Sequence, residues 1–404
     1  MIPKKRKWIL FLPLFLLLMT GKAFASELQQ EEQQMQSQEQ TEQLLEQQID
    51  SILSELDLAE LEELYGWAEA FFEGVDLQEA IEKLTREGLQ ELDTQKLLQA
   101  VWTGIKQGFA ANWHYTVQIL VIVLMSGLLA NLQENGLQGD ANTMAEWAAY
   151  AICCVLAAWM LAGCIREVKG AADMLSGALE TLTPILTLLL TAMGNLNASS
   201  VLSPLMAALT GGIFQIISLV VIPAIIAKCI LDLASGASSM LRLEGVSKLL
   251  SSGVKWMLGI LFVIFLGVTA LKGIAGASID GVYFKTAKFT VDKMVPIIGG
   301  MFSDTLDTLM ACSLIVKNAV GIIGLIAICA MMGAPLCGLI ANLFMLKLTS
   351  AVAGIFDAHA AKTLLEKLGE CVTLLFAALL SMMVMAFIFI AVVMGAADAS
   401  MMMR

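Results

Sequence analysis

A chain of 404 residues that is 58% hydrophobic and 15% charged, with a mean hydropathy of +0.78, is far more apolar than a soluble domain, where roughly 45–50% apolar is usual. That composition excludes a soluble globular enzyme and points to an all-α, polytopic membrane protein. The net charge of −12 is unevenly divided: residues 26–112 carry 20 acidic and 4 basic side chains, residues 113–404 carry 16 and 15, so an acidic water-facing region precedes a nearly neutral membrane region.

Residues 1–25 have the three parts of a secretory signal: Lys4, Lys5, Arg6 and Lys7, an apolar run from Trp8 to Met19, and Ala23-Phe24-Ala25 as a small-residue cleavage site. An uncleaved anchor is the alternative, and both put the following segment outside the cytoplasm. Residues 26–48, mostly Gln and Glu, bury too little apolar surface to offset chain entropy and read as a disordered tether. Residues 49–112 read as an extracytoplasmic helical region. Acidic caps announce its short helices: Asp57 with Glu60, Asp76 with Glu79, and Asp93 before Thr94. Leu61, Leu64, Ala68 and Phe71, then Leu77, Ile81 and Leu84, then Leu97, Val101 and Ile105 follow helical spacing. Their apolar faces either pack on one another or dock a partner.

The membrane domain runs over 113–404, with spans expected at about 114–132, 146–165, 212–232, 254–271, 325–346 and 371–394. Between the second and third lies Leu179 to Gly211, in which the polar NLNASS separates two apolar arms of about 15 residues, short for a crossing. Its counterpart, Ile279 to Gly324, carries Lys285, Lys288 and Lys293, then Pro296, Gly299 and Gly300, then Asp304 and Asp307. A shift of 112 residues superposes Pro184 on Pro296, Gly212 on Gly324 and Pro223 on Pro335, and sets Asn195 opposite Asp307. Two parallel internal repeats follow, at about 143–247 and 255–359, with a partial third unit at 362–398. Each repeat is expected to contain a re-entrant or broken helix, with Pro184, Pro223, Pro296, Gly299, Gly300 and Pro335 as the breaks. Loop charges leave the orientation open, because the loop at 133–145 holds no Lys or Arg.

Ionisable groups at membrane depth are costly and usually face a cavity or a partner. Asn195, Asn197, Asp304, Asp307, Lys317 and Asn318 are therefore candidates for lining a pore or interface, against the plainer alternative of a water-exposed loop between short helices. Lys228 and Asp232, four residues apart near a span's end, read as a snorkelling pair. The eight cysteines, all in apolar runs without CxxC spacing, read as packing residues. The chain has no GxxxxGK[ST] loop and no HExxH, and its two histidines, His114 and His359, stand alone. No catalytic residue, cofactor or metal site is expected, and energy from ATP would have to come through a partner.

Three stretches carry a family resemblance: DGVYFKTAKFTVDKMVPIIGGMFSDTLDTLMACSLIVKNAVGIIG from Asp280, RLEGVSKLL from Arg242 and FMLKLTSAVAGIFDAHAAKTLLEKLGE from Phe344. With them the chain closely resembles the stage III sporulation protein AE family of endospore-forming bacteria. The resemblance implies a component of the channel or secretion-like complex that links mother cell and forespore across the engulfment membranes and is needed for late forespore gene expression. It also implies a place in the mother-cell membrane, with the N-terminal region in the intermembrane space. The implied partners are other stage III sporulation operon proteins: membrane subunits, ring-forming proteins and a partner ATPase. Beside them stand the lipid bilayer and further copies of the chain in a homo-oligomer; no nucleic acid is expected. The competing reading is a secondary transporter or permease-like subunit with its substrate path at the repeat interface, which should place convergent charges at mid-depth.

Overall fold

The computed structural model describes residues 59–69, 72, 74–87, isolated positions from 99 to 113, 117–125, 140–193, 195–237, 244–294, 298–355 and 358–402. Side chains are described over most of these but not at 271–294, 298–309 or 396–402. The expected signal peptide, the tether, Asp57, Asp93, Pro296 and most of the span at 114–132 lie outside the described residues.

Every described regular element is helical. Two short helices, α1 (Ala59–Tyr65) and α2 (Leu77–Glu87), precede five long ones. These are α3 (Asp140–Ala192), α4 (Leu196–Ala237, with π-helical turns at Ala208–Phe214 and Ile217–Val221), α5 (Glu244–Met294), α6 (Ile298–Ile355) and α7 (His359–Met402). Helices are the natural outcome for such apolar runs, since in lipid every backbone N–H and C=O must be satisfied within its own segment. Five stretches are long and apolar enough to cross a bilayer: Tyr150–Ala192, Pro204–Ser235, Glu244–Ala270, Met310–Ile355 and Ala360–Gly395. They coincide with five of the six spans expected, and the chain is a multi-pass membrane protein whose described regular elements are all helical.

Two expected breaks coincide with helix boundaries: α3 ends at Ala192 and α4 begins at Leu196, at the NLNASS segment, and α5 ends at Met294 and α6 begins at Ile298, on either side of Pro296. At other positions the helices continue. The helix α3 runs through Pro184 without interruption, and α6 is continuous from Ile298 through Asp304, Asp307 and Pro335. The polar NLNASS segment begins at a tight turn over 193–195, where the Asn195 N–H donates to the Leu190 carbonyl at 3.0 Å. The arms on either side belong to helices of 53 residues and of similar reach, so no pair of short re-entrant arms forms. Thr183, Thr187 and Thr191 return their hydroxyls to the carbonyls of Leu179, Thr183 and Thr187 at 2.6, 2.8 and 2.8 Å, which satisfies the hydroxyls within the helix. The 112-residue shift carries the turn at 193–195 onto 305–307, inside α6, whereas a shift of 102 residues carries Ala192 onto Met294 and Leu196 onto Ile298. The helix ends thus pair α3–α4 with α5–α6 in a register different from that of the prolines.

Cross-helix contacts give the bundle its directions. Cys164, Glu167 and Leu182 of α3 meet Asn342, Gly338 and Gly324 of α6; the numbers fall on one helix as they rise on the other, so the two are antiparallel. Lys317 and Gly321 of α6 meet Met394 of α7, while Gly354 meets Lys362, again antiparallel. Lys228 and Ser235 of α4 meet Cys371 and Lys367 of α7, and Asp232 meets Ser247 of α5. The five helices alternate up and down. In the middle stands α7, which packs on α3, α4, α5 and α6. Its buried residues Ala361, Leu368, Leu375, Met382 and Phe389, with Leu364, Cys371, Ala378 and Met385, repeat every seven positions, the pattern of left-handed knobs-into-holes packing.

The α1–α2 region takes a course beside the two expected. Leu61, Leu64, Ala68, Leu77, Ala80 and Ile81 are buried, and both helices pack on α6, α1 also on α3. Their apolar faces therefore dock on the chain's own long helices. The Leu77 N–H donates to Asp76 Oδ1 at 2.9 Å, while Glu79 pairs with Lys83 at 3.3 Å instead of turning back to the cap. The Tyr65 hydroxyl donates to the Val75 carbonyl at 2.8 Å. Burial first, then Glu69, Asp76 and Glu79, pushes its ionisation up to about 12.

In lipid, helices associate by close packing at small residues, and Gly321 is such a point: a Cβ there would lie 2.7 Å from Met394 Sδ. Gly321→Leu is predicted to destabilise the folded protein by about 1–3 kcal/mol, read as a lower thermal midpoint in detergent. Adding Met394→Ala should restore part of the loss by vacating the space; no restoration would place the cost elsewhere.

Candidate functional site

A charged cluster is buried where α4, α5 and α7 meet. Lys228 and Asp232 lie one turn apart on α4 and are 1% and 2% exposed, so neither snorkels to water. Lys228 Nζ donates to Asp232 Oδ2 at 2.7 Å. It also approaches Glu370 Oε2 at 3.4 Å and Cys371 Sγ at 3.7 Å. The other Asp232 oxygen accepts from the Ser247 hydroxyl of α5. Lys367 of α7 continues the cluster outward, donating to Ser235 Oγ at 3.0 Å and lying 3.5 Å from Glu244. Three helices are thus joined through one carboxylate and one ammonium, each with several partners, which is what a buried ion pair needs to offset its desolvation.

Glu370, itself largely exposed, connects the cluster to a cavity of about 410 Å³ between α6 and α7, lined by Lys347, Ser350, Lys362, Glu366 and Glu370. On α6 at nearly the same depth, Asn342 Nδ2 donates to Cys164 Sγ at 3.2 Å. All eight cysteines are free and six of them are buried. Two sulfurs, Cys164 and Cys371, go beyond the packing role expected and accept hydrogen bonds from polar groups.

A second polar layer lies further along α7. Lys317 is fully buried and donates to the Met394 carbonyl at 2.6 Å. Beside it the Asn318 Oδ1 and Ser313 Oγ are buried without a hydrogen-bond partner among the described residues. The α3–α6 register brings Asn195, fully buried, to the depth of residue 311, and neither of its side-chain polar atoms has a partner among the described residues. Cys371 and Met394 are 23 residues apart, roughly 35 Å at 1.5 Å per residue, close to the ~30 Å of a hydrocarbon core. Between the two layers α6 carries no Asp, Glu, Lys or Arg from Asn318 to Leu346, and α7 none from Cys371 to Ala397. The layers mark the two edges of an apolar slab.

The structure thus brings Asn195, Lys317 and Asn318 to one depth. Asn197 lies in the first turn of α4, Gly299 and Gly300 in that of α6, and Asp304 and Asp307 in the next turns; their side chains lie outside the described residues. Pro184 and Pro223 are exposed on α3 and α4, and Pro335 is half-buried in α6. The Lys228–Asp232 cluster is the feature that sequence reasoning placed at the surface. A signal for burial was present, since nine of the ten residues before Lys228 are apolar or proline and Cys229 to Leu231 continue the run.

The family model described as Stage III sporulation protein AE matches residues 75–397. The chain belongs to the stage III sporulation protein AE family. The Stage III sporulation protein AE of Bacillus subtilis (strain 168) is 26% identical over 317 residues, covering 78% of this chain and 79% of that protein. No solved structure matches. The stretch shared with the stage III sporulation protein AE family takes in α2 to α7 up to residue 397, and with it both polar layers.

Removing one member of a buried pair leaves an uncompensated charge, whereas replacing both by apolar groups is often neutral. Lys228→Met alone is predicted to cost about 3–5 kcal/mol, seen as loss of folded protein in detergent melts. Lys228→Met with Asp232→Leu should recover most of it. Equal loss in the single and double variants would contradict the ion pair's place in the fold.

Proposed function

We propose that this protein is a non-enzymatic membrane subunit of a channel or secretion-like complex between mother cell and forespore, required for late forespore gene expression. It sits in the mother-cell membrane and works with other stage III sporulation operon proteins, among them a partner ATPase and ring-forming proteins, and with further copies of itself. Residues 1–25 are its signal peptide, 26–48 a tether, 49–112 an extracytoplasmic region in the intermembrane space and 113–404 the membrane domain. The internal repeat is a pair of helical hairpins, α3–α4 and α5–α6, with α7 as the partial third unit.

Family membership supports the sporulation role, and the position of charge supports a conduit over a transporter. A closed solute site calls for convergent charges at mid-depth. Here the fully buried charges among the described residues, Lys228 and Asp232 at one edge and Lys317 at the other, lie at the margins of the apolar slab, while the half-buried Glu167 faces Gly338 a short way inside it. Asn195, Lys317, Asn318, Asp304 and Asp307 belong to the mouth at the second edge.

The membrane domain, co-expressed with the other operon membrane proteins and reconstituted in vesicles, is predicted to release unrelated dyes below a size limit without saturation. Saturable, gradient-driven uptake of one solute class would favour the transporter instead.

A further inference from the structure

The register of α3 on α6 has a consequence for the charges of α3. Glu167 packs against Gly338, where a Cβ would lie 2.7 Å from its Oε1, and Leu182 packs against Gly324, where a Cβ would lie 2.7 Å from its Cδ1. Residues 167–182 therefore run alongside 338–324, the charge-free core of α6. At the same depth α4 and α7 are also charge-free, yet α3 carries, besides the half-buried Glu167, the four charges Arg166, Lys169, Asp173 and Glu180. All four are exposed. Their spacing of three, four and seven residues puts them on one face of the helix, opposite the buried face of Val168, Ala171, Ala172, Leu175, Leu179 and Leu182. A face with four charges does not meet lipid tails at this depth. By contrast Val263 and Ile264 of α5, both exposed and about two turns past the exposed Lys255, present the apolar surface expected against lipid.

We propose that the outer face of α3 from Arg166 to Glu180 is the water-facing wall of the conduit, admitting water and hydrated polar solutes. The assignment rests on the conduit function proposed above. Charged side chains lining a pore set its selectivity. With two cationic groups toward the Cys371 edge and two anionic ones further in, this wall is balanced in sign, so it discriminates weakly between small anions and cations. The apolar residues of α3's inner face hold the helix to α6 while leaving the charged face open, and Pro184 continues that face toward the second edge.

The test is reaction of single cysteines with a membrane-impermeant, charged thiol reagent, in the full chain within native membranes opened to expose both sides. Cysteines at Arg166, Asp173 and Glu180 are expected to react at least tenfold faster than cysteines at Val263 and Val384, which lie at matching depth on α5 and α7. The background carries Cys154→Ala and Cys329→Ala, the two native cysteines that are not buried. Protection of 173 and 180 as complete as that of 263 overturns the proposal, because the face is then covered by lipid or protein. Fast reaction at all five positions also overturns it, because the slab is then not in the bilayer. Selective reaction with no dye release from reconstituted vesicles leaves the water-facing wall standing and removes the conduit.

Discussion

A single buried ammonium, Lys228, meets a carboxylate on its own helix, a carboxylate and a thiol on α7, and through Asp232 a hydroxyl on α5. Charges taken out of water tolerate little movement, since their attraction repays desolvation only while the partners stay in place. The cluster therefore fixes how far α4 and α5 slide along α7. Once that is set, the seven-residue seam of α7 can interlock with its neighbours, and the other polar layer falls about one bilayer thickness away. The apolar slab is a product of this spacing as much as of composition.

Glycines of α6 supply the second constraint. At Gly321, Gly324 and Gly338 a side chain would collide with Met394, Leu182 and Glu167 respectively, so close approach on two sides of α6 depends on the missing Cβ. The α3 contacts set the depth of every residue on that helix. They carry its charged interval into the slab, although α3 has a charge-free run of its own from residue 147 to 165. A helix of 53 residues is much longer than one crossing needs, and packing decides which part of it faces the bilayer core.

Much of this architecture was legible beforehand. Apolar runs located five of the long helices, and the Asp76 cap and the spacing of Leu77 and Ile81 located α2. Helix breaks were less legible, because proline, glycine and aspartate suggest an interruption only when nothing else satisfies the backbone. At Pro184 the helix continues without interruption. The helix boundaries fall instead at the polar NLNASS segment and between Met294 and Ile298, around Pro296. Lys228 was read as a helix-end residue since a lone lysine near a span's end usually reaches water. Beyond Asp232, its partners Glu370 and Cys371 are up to 143 residues away in sequence, and only tertiary packing brings them together. The same holds for the depth of Asp173 and Glu180, which depends on glycines on another helix.

The account depends most on the antiparallel register that sets Leu182 of α3 beside Gly324 of α6. Oxidative cross-linking of paired cysteines in native membranes tests it directly. Leu182→Cys with Gly324→Cys should form an intramolecular disulfide rapidly, and Leu175→Cys with Gly324→Cys, two helical turns away on the same buried face, should not. A disulfide in the second pair with none in the first would move the charged interval of α3 along the slab by two turns and contradict the register on which the water-facing wall is built.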